Sequence, residues 1–413
     1  MVVDRTGSET LASRRGATRR QLLLGGVAAG AGAAAALGGE RLIAHAGAAP
    51  TAPPPPLRGD GVVPFYGAHQ AGVETDAQAH ASLIGLDLHP DVDRDALRRL
   101  MRLLTDDAAR LTAGVPALAD SEPELATRPA HLTVTFGFGP GLVARAGGEA
   151  PGWLAPLPSF SIDRLRPQYT GGDLMIQVGA DDPLTVAHAV RMLLKDTRSF
   201  AAVRWTQQGF RYAHGTVAPG TTMRNLFGQV DGTANPRPGT SRFERVVWCD
   251  EGWLAGGTGM VVRRIEMKVD TWDELDRDGR EFAIGRRLGD GAPLTGGREH
   301  DEPDFDAKGP LGFPVIDDIA HIRRARGDDP GTQIFRRAYN YDLPPAGGGE
   351  VSDSGLIFIS FQADIGRQYV PIQERLAKAD LLNVWTTPVG SAVFAIPPGC
   401  HEGGYVGETL LEG

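Results

Sequence analysis

The chain has 413 residues, of which 41% are hydrophobic and 23% are charged, as expected for a globular protein of two domains or one large double unit. Its formal net charge of −9 does not favour binding to nucleic acid or to anionic lipid. Two cysteines, Cys249 and Cys400, are too few for a disulfide framework and lack a metal-binding spacing. They form either one bridge or two buried free thiols.

The N-terminal segment has the organisation of an export signal. Arg19 and Arg20 precede three leucines, and an uncharged run rich in Ala and Gly follows to Gly39. Two signal-cleavage sites of the A-x-A type lie within residues 44–48. We therefore predict a twin-arginine signal peptide over residues 1–48, which directs the chain to the periplasm, the cell envelope or the extracellular space. The alternative is a disordered basic tail.

Removal of this segment makes the remaining chain more acidic. The segment holds six Arg and three acidic residues, so its loss changes the net charge from −9 to −12. Its apolar run is too rich in Gly and Ala to be stable in a bilayer, and we predict no membrane span in the mature chain. Residues 49–60 contain four consecutive prolines and are predicted to form an extended linker.

Hydrophobic periodicity predicts a β-α-β-β-α-β order in residues 61–225, the first predicted domain. Strands are predicted over residues 82–88, 132–138, 173–180 and 201–210. Helices are predicted over residues 91–111 and 183–197. This is the order of a ferredoxin-like half.

The same order recurs in residues 226–413, the second predicted domain. Strands are predicted over residues 260–269, 336–341, 356–361 and 391–396. One helix begins with Asp270 or Thr271 as its cap, and another covers residues 366–379. A long insertion over residues 286–333 separates the first helix from the second strand, and such insertions are often functional. We therefore predict an α+β fold of two ferredoxin-like halves.

The second half begins with an Asp held between glycines. Asp231 lies between Gly228 and Gly232 and is followed by an Asn235-Pro236 stop. Glycine permits a sharp turn and the close approach of a flat partner. A carboxylate held there is able to transfer a proton. The alternative is an ordinary Asp-Gly turn.

Two further candidates follow in the chain. His321 offers a neutral imidazole that is able to bind a metal ion, although most single histidines are surface or core residues. Arg336 is predicted on a strand, where a fixed guanidinium is able to stabilise negative charge that develops in a reaction.

Together these segments resemble the dye-decolourising peroxidases, a family of haem enzymes. The motifs are Gly-x-x-Asp-Gly at Asp231, Ala-His-Ile-Arg at His321, and Ile-Phe-Arg-Arg at Arg336. His321 follows Asp231 at a separation that suits the family. Residues 63–72 resemble the start of the exported branch, and the resemblance covers about residues 64–399.

The resemblance implies a dimeric α+β barrel-like unit with one haem b in the second half, its iron bound by His321. Asp231 and Arg336 would act on hydrogen peroxide on the opposite face, and an organic donor, such as a dye or a phenolic compound, would supply electrons one at a time. A carboxylate stays deprotonated, and therefore able to accept a proton, at lower pH than an imidazole does. Arg337 is expected to face solvent or a haem propionate. The cofactor-binding residues it implies are Gly232, Thr233, Ala234, Asn235, His321 and Arg336.

The alternatives are a haem carrier or sensor, and an exported protein of the deferrochelatase type that releases iron from haem. Asp231 and Arg336 favour the peroxidase, because a carrier needs only a ligand and a pocket. Residues 323–330 differ from the Asn-Pro-Arg stretch of the family and leave the propionate contacts open. The sequence also leaves open the reductant, formation of a homo-oligomer, and electron relay through aromatic side chains, with Tyr339, Tyr341, Tyr369 and Trp385 as the candidates.

Overall fold

The structure, a computed structural model, describes residues 58–327, 329, 331–345, 347 and 352–413. The predicted signal peptide lies outside the described residues, as does the predicted linker up to residue 57. The last linker residues, Arg58–Asp60, form a 3-10 helix. Within the described ranges, no helix has both the length and the apolar character needed to cross a membrane.

Strands and helices alternate along the chain. The strands are β1 (His80–Leu88), β2 (Thr133–Phe138), β3 (Leu174–Ala180), β4 (Ala201–Phe210), β5 (Thr258–Met267), β6 (Phe335–Arg336), β7 (Tyr339–Leu343), β8 (Asp353–Gln362) and β9 (Thr386–Ile396). The α-helices are α1 (Arg94–Thr112), α2 (Pro140–Arg145), α3 (Pro183–Thr197), α4 (Ser241–Val247), α5 (Val269–Asp273), α6 (Arg277–Ile284), α7 (His321–Ala325), α8 (Tyr369–Ala379) and α9 (Glu408–Leu411).

The two long helices of the first half begin at side-chain caps. Asp93 accepts a hydrogen bond from the amide of Ala96 at 2.8 Å and caps α1. Asp182 accepts from the amide of Thr185 at 2.9 Å and caps α3, which has proline at its first position. Each cap contributes about 1 kcal/mol to helix stability. Their boundaries therefore agree with the sequence prediction to within a few residues.

The strands form one antiparallel sheet that closes on itself. The hydrogen-bonded order is β5-β9-β2-β3-β1-β4-β7-β8, and β8 also pairs with β5. The ring divides into β9-β5-β8-β7 and β4-β1-β3-β2, which is the ferredoxin-like strand order in each half. The predicted α+β barrel-like fold of two ferredoxin-like halves is confirmed. The predicted domain boundary after residue 225 stays a prediction.

The two halves share few ladder contacts. One residue pair, Phe138 with Ala395, joins β2 to β9. At the other seam Phe210 pairs with Asn340 and joins β4 to β7. Arg337 strengthens this second seam, because its buried guanidinium donates to Gln78 Oε1 at 2.6 Å. The prediction that Arg337 faces solvent or a propionate is therefore wrong.

Two predicted elements of the second half are interrupted. The helix predicted from Asp270 or Thr271 is two helices, α5 and α6, and Lys268 is the N-cap residue of α5 without a side-chain hydrogen bond. Asp276 starts α6 by accepting from the amide of Gly279 at 2.7 Å, and this internal cap explains the break. The strand predicted over residues 336–341 is β6 and β7, which pair with β8 in one continuous register.

Candidate active site

A tight loop after the first half presents Asp231. Its two ends meet at a bridge between Arg224 and Val230. The Asn225 carboxamide oxygen accepts from the amides of Phe227 at 3.1 Å and Gln229 at 3.2 Å, so one side chain replaces the missing backbone partners of the turn. The Asn225 amide nitrogen then donates to Asp231 Oδ2 at 3.3 Å.

Glycines shape both sides of this carboxylate. Gly228 has φ of +79° and Gly232 has φ of +130°, values that residues with a Cβ rarely adopt. Beside Gly228, no described atom lies within 4 Å of the position that a Cβ would take. The backbone around Asp231 is therefore both sharply turned and open on one side, as the sequence predicted.

Asp231 and Arg336 form an ion pair across the site. Arg336 Nη1 donates to Asp231 Oδ1 at 2.8 Å, and only 11% of the Asp231 side chain is exposed. Partial burial strengthens such a charge-assisted hydrogen bond, because less water screens it. The pair therefore places a carboxylate, which is able to accept a proton, beside a guanidinium, which supplies positive charge.

Asn235 fixes the backbone of Arg336. Its Oδ1 accepts from the Arg336 amide at 3.0 Å, and its Nδ2 donates to the Arg336 carbonyl at 2.7 Å. The carboxamide thus pairs with Arg336 as a neighbouring strand would. The Asn-Pro motif that follows Asp231 therefore positions the arginine that binds Asp231.

His321 is the first residue of α7 and is held by a buried carboxylate. Its Nδ1 lies 2.6 Å from Asp380 Oδ2, and Asp380 Oδ1 accepts from the amide of Leu382 at 3.0 Å. A ring whose Nδ1–H donates to a carboxylate presents Nε2 as a free lone pair. This is the arrangement that a metal-ligating histidine requires.

The electrostatics connect His321 with the ion pair. Burial lowers the pKa of His321, but the charge and hydrogen bond of Asp380 raise it by more, so the net direction is upward. The charges of Arg336 and Asp231 also act on the ring. His321, Asp231 and Arg336 therefore lie close enough for their charges to interact.

The insertion between α6 and β6 contributes a polar wall. Glu299 Oε1 accepts from Thr233 Oγ1 at 2.9 Å and from Thr222 Oγ1 at 2.6 Å. Arg286 donates to the Glu299 carbonyl at 2.8 Å. Burial lowers the pKa of Arg286, and the nearby Glu299 carboxylate opposes this shift. The insertion is thus anchored to the loop that carries Asp231.

The residues predicted to bind the cofactor beside Asp231 differ in their exposure to solvent. Gly232, Thr233 and Asn235 lie in the loop beside Asp231, whereas Ala234 is exposed to solvent. Sequence reasoning missed Asp380, which follows a predicted helix and is separated from His321 by 59 residues. It also missed Glu299. Neither residue belongs to a motif, so only the fold reveals them.

Comparisons with known proteins agree with this geometry. Residues 70–211 match the N-terminal domain of the Dyp-type peroxidases, and residues 222–401 match the C-terminal domain. A dye-decolorizing peroxidase of Thermobifida fusca is 39% identical over 364 residues, which cover 84% of this chain and 84% of the relative. A deferrochelatase of Yersinia pestis is 37% identical over 372 residues, which cover 84% and 85%.

The fold is similar to that of a solved structure. The crystal structure of a DyP-type peroxidase from Cellulomonas bogoriensis has a TM-score of 0.84 and 55% identity, and the match covers 87% of this chain and 100% of that chain. The barrel fold and these similarities define the protein as a haem peroxidase. The chain belongs to the Dyp-type peroxidase family.

Proposed function

We propose that this peroxidase reduces hydrogen peroxide to water with Asp231 and Arg336, and oxidises bulky organic donors such as dyes and phenolic compounds. The observation that carries the proposal is the 2.8 Å ion pair between these two residues, whose charges also act on His321. A protein that only carries haem needs a ligand and a pocket. Such a carrier does not need a carboxylate that is paired with a guanidinium.

The donor set fits one haem b. His321 Nε2 would bind the iron, because Asp380 holds the opposite ring nitrogen. The buried Arg324 Nε has no hydrogen-bond partner among the described residues, and it would bind a propionate carboxylate. Arg324 follows His321 by three positions on α7, so the two side chains lie on one face of the helix.

Asp231 would move the proton of the reaction. When bound, haem supplies the redox centre that takes up the two oxidising equivalents of peroxide and passes them on one at a time. Asp231 would accept a proton from one oxygen of hydrogen peroxide and deliver it to the other oxygen, which would leave as water. Gly232, Thr233 and Asn235 hold the loop that sets the direction of this carboxylate.

Arg336 would supply a fixed positive charge. The guanidinium would stabilise negative charge on the departing oxygen, and it keeps Asp231 Oδ1 in place. Because Asn235 binds both backbone polar groups of Arg336, the charge is positioned before peroxide arrives. Such pre-positioned donors cost no reorganisation during the reaction.

The test is peroxide-dependent oxidation of a bulky dye by the haem-loaded protein. We expect dye loss that requires both peroxide and haem, with the haem recovered intact after many turnovers. A protein that binds haem but catalyses no more dye oxidation than free haem would contradict the proposal.

Release of iron from haem is the second candidate function, and the 37% identity to a deferrochelatase favours it. Anaerobic incubation of the haem-loaded protein with a reductant and a ferrous chelator separates the two. Iron release yields metal-free porphyrin, which is fluorescent. We expect the porphyrin fluorescence to stay at the level of the buffer control.

We also propose export through the twin-arginine route, with action in the periplasm, the cell envelope or outside the cell. Arg19 and Arg20 before an uncharged apolar run support this proposal. The route transports folded proteins, which suits a chain whose cofactor is inserted before export.

A further inference from the structure

Three metal-binding side chains meet in the first half of the protein. His131 precedes β2, Asp181 follows β3, and His214 follows β4. The Nδ1 atoms of His131 and His214 lie 2.8 Å and 2.9 Å from the same carboxylate oxygen, Asp181 Oδ2. All three ligand atoms lie within 4.8 Å of one another. His321, Asp231 and Arg336 belong to the second half, so the proposed peroxidase chemistry does not use this cluster.

Two of the three residues are fixed by hydrogen bonds to the backbone of neighbouring loops. Asp181 Oδ1 accepts from the amide of Ala79 at 3.0 Å, and the Asp181 amide donates to the Ala130 carbonyl at 2.8 Å. The His131 amide donates to the Gly61 carbonyl at 2.7 Å. These bonds leave Asp181 Oδ2 directed at both imidazoles. The cluster is therefore prearranged before any ion binds.

The backbone at His131 is held in an unusual conformation. Ala130 has φ of +46° and His131 has φ of +57°, and within the described residues they are the only non-glycine residues with positive φ. Two consecutive left-handed residues are disfavoured unless other contacts impose them. The His131 ring also packs against Gly61, where a Cβ would overlap the ring. Both features direct Nδ1 of His131 towards Asp181.

The donor atoms suit a divalent transition metal. Two imidazole nitrogens and one carboxylate oxygen form a donor set that Zn²⁺ sites use, with the remaining coordination position open to water. Zn²⁺ bonds of ~2.0–2.1 Å place neighbouring ligand atoms ~2.9–3.4 Å apart. The observed separations of 2.8 Å and 2.9 Å lie at or just below the short end of that range. The His131 contact is a hydrogen bond, so a bound ion would take the place of the shared proton with small side-chain shifts.

We propose that His131, Asp181 and His214 bind one divalent transition-metal ion, with Zn²⁺ as the reference ion. The ion would tie the loop after β4 to the ends of β2 and β3. This loop connects the first half to the segment that carries Asp231. The ion would therefore have a structural role, because it would hold the connection between the two halves in place. Mg²⁺ would bind poorly, because it prefers oxygen ligands.

The test is calorimetric titration of Zn²⁺ into the haem-loaded protein without an affinity tag. The variants are His214→Ala, in a solvent-exposed loop, and Asp181→Asn, whose amide oxygen still accepts from Ala79. The matched control is His401→Ala, because His401 is also exposed but lies outside the cluster. The same titrations with Mg²⁺ measure selectivity.

We expect one Zn²⁺ per chain and at least about 10-fold weaker binding in both cluster variants. Mutation of a residue that only hydrogen-bonds a metal ligand typically costs about 10–100-fold in affinity, and loss of a ligand itself should cost no less. The His401→Ala control should bind as the wild type does. Zn²⁺ should also raise the melting temperature of the wild type but not that of His214→Ala. Absence of saturable Zn²⁺ binding, unchanged affinity in His214→Ala, or equal affinity for Mg²⁺ would overturn the proposal.

Discussion

Arg336 donates to Asp231 at 2.8 Å although 105 residues separate them in the chain. The contact exists because β6 pairs with β8, while the loop that carries Asp231 is tied to Arg336 by Asn235. The charges of this pair also act on His321, which belongs to the insertion. The site is therefore assembled from three separate segments of the second half.

The first prediction concerns proton transfer and fixed charge. Asp231→Asn should slow the reaction of the ferric protein with peroxide by about 10²–10⁴. Arg336→Leu should slow it by about 10²–10³ or more, because the guanidinium also holds Asp231. Stopped-flow absorbance of the haem after mixing with peroxide measures both rates.

The control for this experiment is Arg242→Leu, since Arg242 is exposed on α4. It should react at the wild-type rate. Haem content should be the same in all variants, because neither Asp231 nor Arg336 is the iron ligand. Wild-type rates in both site variants would show that Asp231 and Arg336 do not act on peroxide.

A second prediction separates positioning from chemistry. Asn235→Ala removes two hydrogen bonds to the backbone of Arg336 but leaves its guanidinium present. We expect a peroxide reaction slower by up to about 30-fold, because two hydrogen bonds worth about 1 kcal/mol each are lost and about 1.4 kcal/mol corresponds to tenfold. Added guanidinium ion should not restore the rate, whereas it should partly restore that of Arg336→Ala. Equal rescue of both variants would argue against a positioning role.

A third prediction concerns the proposed iron ligand. His321→Ala should lose haem, whereas Asp380→Asn should keep it with affinity lower by about 10–100-fold, the usual cost of removing the partner of a ligand. Asp380→Asn should also raise the Fe(III)/Fe(II) potential, because the ring loses a negative partner. Haem titration and spectroelectrochemistry check the two expectations. Full haem occupancy in His321→Ala would contradict the ligand assignment.

A fourth prediction concerns export. Replacement of Arg19 and Arg20 by Lys should leave an unprocessed precursor in the cytoplasm, because the arginine pair is recognised as an address. Immunoblots of cell fractions measure this. Replacement of Arg14 and Arg15 by Lys is the matched control and should leave export unchanged. Normal secretion of the first variant and failure of the second would assign the signal to Arg14 and Arg15.

The fifth prediction concerns stability and pH. Burial raises the pKa of Asp196 from 3.8 to about 7, and the charge and hydrogen bond of Asp107 add to this rise. Because the folded state holds this proton more tightly, the group stabilises the fold below pH ~4, and this stabilisation is lost as the pH rises to ~7. Asp196→Asn should therefore melt a few degrees above the wild type at pH 8, and by a smaller margin at pH 4.

Calorimetry at both pH values measures this difference. The control is Asp91→Asn, since Asp91 is exposed, and it should melt with the wild type at each pH. An Asp196→Asn variant that is less stable than the wild type at pH 8 would show that the ionised carboxylate stabilises the fold.

Local sequence determined most of the secondary structure. Helix α3 has the predicted bounds of residues 183–197, because Asp182 and Pro183 are a cap and a first turn that depend only on their neighbours. Strand β4 also has its predicted bounds. The helix predicted from Asp270 or Thr271 is an error of a local kind, because Asp276 accepts from the amide of Gly279 and starts a second helix inside the predicted one.

By itself, the sequence indicated Asp231, His321 and Arg336 as site candidates, because the segments around them together resemble the motifs of the peroxidase family. Only the tertiary structure decided their partners. Asp380 binds His321 and Asn235 clamps Arg336 because the fold brings segments 59 and 101 residues apart together. Periodicity describes which face of an element is buried, but it carries no information on which loops meet in the folded chain.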